Sequence, residues 1–326
     1  MNTRTFNGSD RRVSEIGLGC WQLGGNEWGQ VTDEQAMAVL HAAYDAGVTF
    51  FDTADIYGHG RSETLIGRFL RERPDPNIFI ATKLGRRQGY PDSYSFEQFA
   101  GNTEESLRRL GVETIDLMQL HCIPMRWMQR DEPWQWLAKL QQQGKIRQYG
   151  ASVESMDEAL LCIEKGASSL QIIFNIFRQK PIDVLFDKAK EKKVAIIVRL
   201  PLASGLLSGK LTKQSTFAEQ DHRTFNRDGQ AFSVGETFAG LPFELGVDLA
   251  DELKPMVPAG MTMAQFALRW ILDFDAVTTV IPGASRPEQT RDNAFASMLQ
   301  PLDEDLHAAL RQFYRDKVAA HIRGPY

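Results

Sequence analysis

Eight apolar, β-branched runs recur along the chain with helix-like segments between them, and this alternation limits the fold more than any other feature. The runs are EIGLG (15–19), VTFFD (48–52), NIFIATK (77–83), TIDLMQLH (114–121), IRQYGAS (146–152), LQIIFN (170–175), VAIIVRLPL (194–202) and AVTTVIP (276–282). Strands apolar on both faces belong in a parallel sheet covered by helices. DEQAMAVLHAAYDAG (33–47), EQFAGNTEESLRRLG (97–111), SMDEALLCIEKG (155–166) and TMAQFALRWILD (262–273) have the helical period. Asp33 and Ser155 suit N-caps, and Gly47, Gly111 and Gly166 suit C-caps. A count of eight favours a closed (β/α)8 TIM barrel over an open doubly wound sheet. The stretch RTFNGSDRRV reads as a short N-terminal β-hairpin plugging the barrel's bottom. No linker rich in Pro, Gly or Ser divides the chain, so residues 1–326 are expected to form one barrel domain.

Composition removes several function classes. Hydrophobic residues at 43% and charged residues at 24% leave ample material for a core and argue against disorder. A net charge of -5 with scattered basic residues gives no footprint for nucleic acid. No run approaches membrane-spanning length and MNTRTFNGSDRR lacks a secretion signal's apolar core, so a cytoplasmic location without membrane partners is expected. Cys20, Cys122 and Cys162 are far apart and in no CxxC pair, which disfavours disulfides and structural zinc. There is also no HxH, HExxH or GxSxG. Nothing specifies an oligomeric partner.

In such barrels the chemistry gathers where strands end, and here the ends are polar: Asp52, Lys83, His121, Ser152, Asn175 and Arg199. Tyr57 follows Asp52 on a glycine-flanked turn. A phenol is a poor acid at neutral pH, and an ammonium at Lys83 would ease its proton loss while Asp52 holds that ammonium. His121 would orient a carbonyl oxygen or relay a proton. A proton donor without a nucleophile suits carbonyl reduction, which needs a nicotinamide or flavin for hydride. IPGASRPEQTRDN then reads as a phosphate clamp, with Gly283, Ser285, Arg286 and a helix starting at Pro287. PLASGLLSGK (201–210) could wrap a pyrophosphate through backbone amides and Lys210.

Together, GLGCWQLGG, DTADIYG, ATK, His121, Gly-Ala-Ser, Gln171 with Asn175, PLASGLLSGK and IPGAS...DN resemble the aldo-keto reductases over nearly the whole length, in a bacterial branch related to the potassium-channel β-subunit-like members. The resemblance implies NADPH lying across the C-terminal rim and a small carbonyl substrate. It makes Tyr57 the acid in a tetrad with Asp52, Lys83 and His121. Implied cofactor residues are Cys20, Trp21, Ser152, Gln171, Arg199, Pro201, Leu202, Gly205, Leu206, Ser208, Lys210, Gly283, Ser285, Arg286, Gln289, Asp292 and Asn293. Val153 stands where many members have an asparagine, and Arg199 where an aromatic often stacks on nicotinamide, a role its planar guanidinium can fill.

Plainer readings exist for each residue alone. Asp52 and Lys83 form a structural ion pair, His121 is a satisfied rim histidine, Trp21 and Trp28 are core or pocket wall, and Cys20 and Cys122 are small buried hydrophobes. Residues 212–246 exceed an ordinary loop and form a lid or a surface insertion. A cofactor-sensing subunit with slow chemistry is the alternative function, and a metal-dependent barrel hydrolase using Asp52 and His121 a further one.

Overall fold

The computed structural model describes residues 1–7, 9–25 and 27–326; Gly8, within the expected hairpin, and Asn26 lie outside the described residues. Antiparallel strands β1 (Thr3–Thr5) and β2 (Arg12–Ser14) precede eight parallel ones. These are β3 (Leu18–Gly19), β4 (Phe50–Asp52), β5 (Phe79–Leu84), β6 (Ile115–His121), β7 (Ile146–Ser152), β8 (Ser169–Ile173), β9 (Ala195–Arg199) and β10 (Val277–Val280). They pair in sequence order, and the ends meet: Gly17 N–H donates to Val280 O at 2.8 Å and Gly19 N–H to Pro282 O at 3.1 Å. The result is the (β/α)8 barrel that the alternation predicts. Its seam needs small residues, because a Cβ on Gly17 would lie 2.8 Å from Phe50 O and one on Gly19 2.7 Å from Ile281 O.

Several expected boundaries move. The sixth and seventh runs stop at Ile173 and Arg199, which leaves Asn175 and residues 200–202 in turns. Thr32, rather than Asp33, caps the helix Asp33–Asp45: its Oγ1 accepts from Gln35 N–H at 3.2 Å, and Gln35 Oε1 accepts from Thr32 N–H at 2.9 Å. Asp33 falls in the first turn, where its charge meets the helix's positive end and Arg61. Ser155 caps Met156–Glu164, and Gly111 at φ 68° ends Phe96–Leu110, as expected.

The hairpin carries Phe6 and Val13 into the barrel, where they pack with Phe50, Phe79, Leu117 and Ile197. Phe6 lies 4.7 Å from Phe79 between ring centroids. Residues two apart on a strand share a face, and along the inner face polarity changes in one step. Phe50 gives way to Asp52, Ala81 to Lys83, Leu117 to Gln119 and Ile197 to Arg199, the first of each pair in the apolar plug and the second buried and polar. The barrel thus has an apolar floor and a polar ceiling. Among the described residues no helix is long and apolar enough to cross a membrane.

Candidate active site

Above that ceiling is a cavity of about 610 Å³ bounded by the loops after the strands. Asp52 sits at its base, and its carboxylate is fully committed. Oδ1 takes Lys83 Nζ at 2.6 Å; Oδ2 accepts from Gln171 Nε2 at 2.7 Å and from Gln119 Nε2 at 3.2 Å. Lys83 Nζ also donates to Thr53 O at 2.8 Å and lies 3.1 Å from the Tyr57 hydroxyl. Lys83 is wholly buried beneath the cavity floor, and Tyr57 stands between it and the open space.

The turn that carries Tyr57 bends through left-handed backbone at Gly58 (φ 58°), His59 (φ 54°) and Gly60 (φ 94°). At Gly58 no side chain fits, since a Cβ would lie 1.6 Å from Gly24 O. The turn is therefore pressed against the loop after β3. Trp21 of that loop stacks on Tyr57 at 5.9 Å and 16°, and the His121 ring meets Tyr57 edge-on at 5.8 Å.

The electrostatics correct one expectation. Lys83 does favour the Tyr57 phenolate, yet burial outweighs it and pushes the phenol up to about 12. Tyr57 therefore carries its proton at neutral pH. Burial penalises the Lys83 ammonium too, but Asp52 and Tyr57 more than compensate and raise its pKa. His121 is driven well below the usual imidazole range by burial, then by Arg86, Lys83 and Arg199. It is a neutral ring, with Nδ1 buried and unpartnered among the described residues.

Most of the residues expected at the cofactor line this one cavity: Trp21, Ser152, Gln171, Arg199, Pro201, Leu202, Gly205, Ser208 and Lys210 on one stretch, and Gly283, Ser285, Arg286, Gln289, Asp292 and Asn293 on another. Cys20 and Leu206 do not reach it. The Cys20 thiol is buried against Leu18 O at 3.6 Å, and Leu206 packs in the core. Asn175, beyond the end of β8, also stays off the wall and braces the neighbouring turns, donating to Leu200 O at 3.0 Å and accepting from Phe177 N–H at 3.0 Å. Arg199 is anchored by its edge, with Nη1 paired with Glu236 and Nη2 donating to Val153 O at 3.1 Å, which fixes its guanidinium plane at the wall.

Charge and backbone along the long side of the cavity suit a phosphorylated cofactor. Lys210 and Arg286 are exposed on the wall, and neither side chain has an acidic partner among the described residues. The turn after β9 holds Leu200, Ala203, Ser204 and Gly205 at positive φ, a strained shape that brings the chain against the cavity. At the helix Pro287–Phe295, Gln289 Oε1 already accepts from Ser285 N–H at 3.0 Å and Arg286 N–H at 3.1 Å. The groups left for a phosphate there are side chains more than backbone amides.

The segment 212–246 contributes Arg223, Phe232 and Glu236 to the wall. His222, completely buried, is wedged against Trp28 (4.2 Å) and Trp21 (5.1 Å), and its backbone N–H donates to Glu27 O at 2.9 Å. Trp21 and Trp28 are thus wall residues. Sequence reasoning missed Gln119, Arg86 and Glu236. Gln119 was legible, being two residues before His121 on the same strand face; Arg86 follows Lys83 just past its strand end; Glu236 sits in a segment with no motif.

The chain belongs to the aldo/keto reductase family, whose model matches residues 15–315. It is an NAD(P)H-dependent oxidoreductase of that family, whose chemistry is carbonyl reduction. An L-glyceraldehyde 3-phosphate reductase of Escherichia coli is 31% identical over 317 residues, covering 91% of this chain and 87% of that protein. An NADH-specific methylglyoxal reductase of the same species is 26% identical over 319 residues, covering 91% of this chain and 94% of the other. The structure of a glycerol dehydrogenase from Gluconobacter oxydans superposes with a TM-score of 0.79 at 29% identity, covering 99% of this chain and 97% of that one.

Proposed function

We propose that the protein reduces an aldehyde or ketone to an alcohol with NADPH, and that Tyr57 delivers the proton to the carbonyl oxygen. The observation that carries this reading is the chain Asp52–Lys83–Tyr57, with contacts of 2.6 and 3.1 Å. A reduced nicotinamide, when bound, supplies the hydride. The residues of this chain do the rest. Tyr57 holds its proton at neutral pH and faces the cavity. Once the proton leaves, the Lys83 ammonium stabilises the phenolate, and Asp52 keeps that ammonium in place. Neutral His121 offers a hydrogen bond to the same oxygen without competing as an acid. Ser152 and Gln171 would face the carboxamide, although the Gln171 nitrogen is committed to Asp52, so its oxygen would serve. Residues 205–210 would hold the pyrophosphate and Arg286 the 2'-phosphate, which is the basis for preferring NADPH.

Fluorescence titration with NADPH and NADH, followed by nicotinamide absorbance with a panel of short aldehydes, tests this. Oxidation of NADPH by some aldehyde is the expected result. Tight binding without turnover on any carbonyl would overturn the reading in favour of a cofactor-sensing subunit.

A further inference from the structure

The cavity has a second polar centre that the proton-transfer chain does not use. Arg86 lines the wall next to His121, with Nε donating to His121 O at 3.2 Å and Nη2 to Glu154 Oε1 at 3.1 Å. These two anchors fix the guanidinium plane. Its Nη1 donates to no described residue, and the side chain stays 17% exposed. A guanidinium carries five N–H donors in a rigid fork, so Arg86 retains donors that the protein leaves unused.

Arg86 and Arg199 balance Glu154 and Glu236 in charge, so what this end of the cavity offers is the unused Arg86 donor rather than a net positive field. Glu154 is outside the wall, and Glu236, which is on it, has its own cation in Arg199. Of the other carboxylates on the wall, Glu27 takes the indole N–H of Trp21 and Asp52 is held by Lys83. Arg86, Lys83 and Arg199 all lie near the His121 ring, each with a carboxylate partner of its own. The rest of this end is aromatic, with Trp21, Trp28, Tyr90 and Phe232.

We infer that this end of the cavity selects a short carbonyl compound bearing an anionic group, a carboxylate or a phosphate, and that Arg86 is its partner. The assignment rests on the reductase reading above. Burial of the anion beside a pre-fixed guanidinium, with the chain of the substrate between aromatic walls, would place the carbonyl by His121 and Tyr57. A neutral analogue would leave the Arg86 donors unpaired, and that penalty is the source of selectivity.

The test compares kcat/KM for succinic semialdehyde against butanal and for glyceraldehyde 3-phosphate against glyceraldehyde. The wild type should favour the charged member, and the pair that shows the larger preference tells carboxylate from phosphate. Arg86→Gln should lower the charged-to-neutral ratio by about 10- to 100-fold, while Arg86→Lys should keep most of it. Arg86→Gln/Glu154→Gln, which leaves no unpaired carboxylate, should show the same collapse. A ratio unchanged in Arg86→Gln would overturn the inference, with Arg86 then only bracing the His121 carbonyl. Binding of butyrate against butyramide to the NADPH complex, read by tryptophan fluorescence, needs no turnover. Wild-type preference for butyrate that is lost in Arg86→Gln supports the assignment, and equal binding sinks it. Failure to reduce any carbonyl would count against the reductase reading alone.

Discussion

Gln171 Nε2 donates to Asp52 Oδ2 at 2.7 Å across 119 positions of sequence, while Lys83 Nζ occupies Oδ1 at 2.6 Å. Each oxygen of this buried carboxylate has its own donor, from a different strand. Such a group is held in position from both sides, and removing Lys83 would leave the carboxylate without a cation in the barrel.

Asp52→Asn should therefore be costly to the fold as well as to activity. Removing one member of a buried, hydrogen-bonded ion pair costs about 3–5 kcal/mol. Urea denaturation should show a loss of that order. Asp52→Asn/Lys83→Met, in which no charge is stranded, should recover part of it.

Tyr57→Phe keeps the ring stacked by Trp21 and deletes only the hydroxyl. Loss of a positioned acid should lower kcat by about 100- to 10,000-fold. NADPH binding, followed by fluorescence, should stay within a few-fold of the wild type. Near-full turnover in this variant would rule out the proposed acid.

Arg286→Ala removes an exposed cation at one end of the cavity. It should raise the KM for NADPH at least about tenfold and that for NADH little, because a charge-assisted contact to the extra phosphate is worth roughly 1.5–3 kcal/mol. Lys210→Ala should weaken both cofactors. Equal responses to Arg286→Ala would remove the basis for NADPH preference.

Asp55 gives the fold a pH dependence. Burial, with Glu63 next, raises its carboxyl to about 7, and neither oxygen has a partner among the described residues. A carboxyl with a raised folded-state pKa stabilises the protein fully below the unfolded value near 4, and that contribution is lost as pH rises through about 7. Stability should fall between about pH 4 and pH 7, by up to about 4 kcal/mol from this group. In Asp55→Asn the decline should be visibly smaller in thermal melts at the two pH values. An identical slope in both proteins would show that Asp55 is ionised throughout.

How much was legible follows from what each feature depends on. The strand count and order were, because eight two-faced apolar runs admit few arrangements. So were the polar strand ends, since Asp52, Lys83 and His121 interrupt apolar runs at a fixed place. The Thr32 cap was misjudged because Thr32 and Asp33 are both good caps, and only the backbone at Thr32 (φ -73°, ψ 166°) decides between them. The state of Tyr57 depends on the balance of burial against Lys83, which no spacing reveals. The anchoring of Arg199 by Glu236, 37 residues away in a segment without pattern, appears only in three dimensions. Gln289, implied as a cofactor residue, does line the cavity, and its capping of Ser285 and Arg286 appears only in three dimensions.

The seam between β3 and β10 has a consequence for the order of events in the life of the chain. Gly19, at the end of the first barrel strand, meets Gly283 of the last, so Trp21 and the Ser285–Arg286 turn become neighbours only when the ring is shut. The strands before β10 can pair in order while the ring is still open. Until it shuts β3 has one open edge, and contacts so distant in sequence form late. The cavity therefore cannot be complete until the closing turn has joined the first barrel strand.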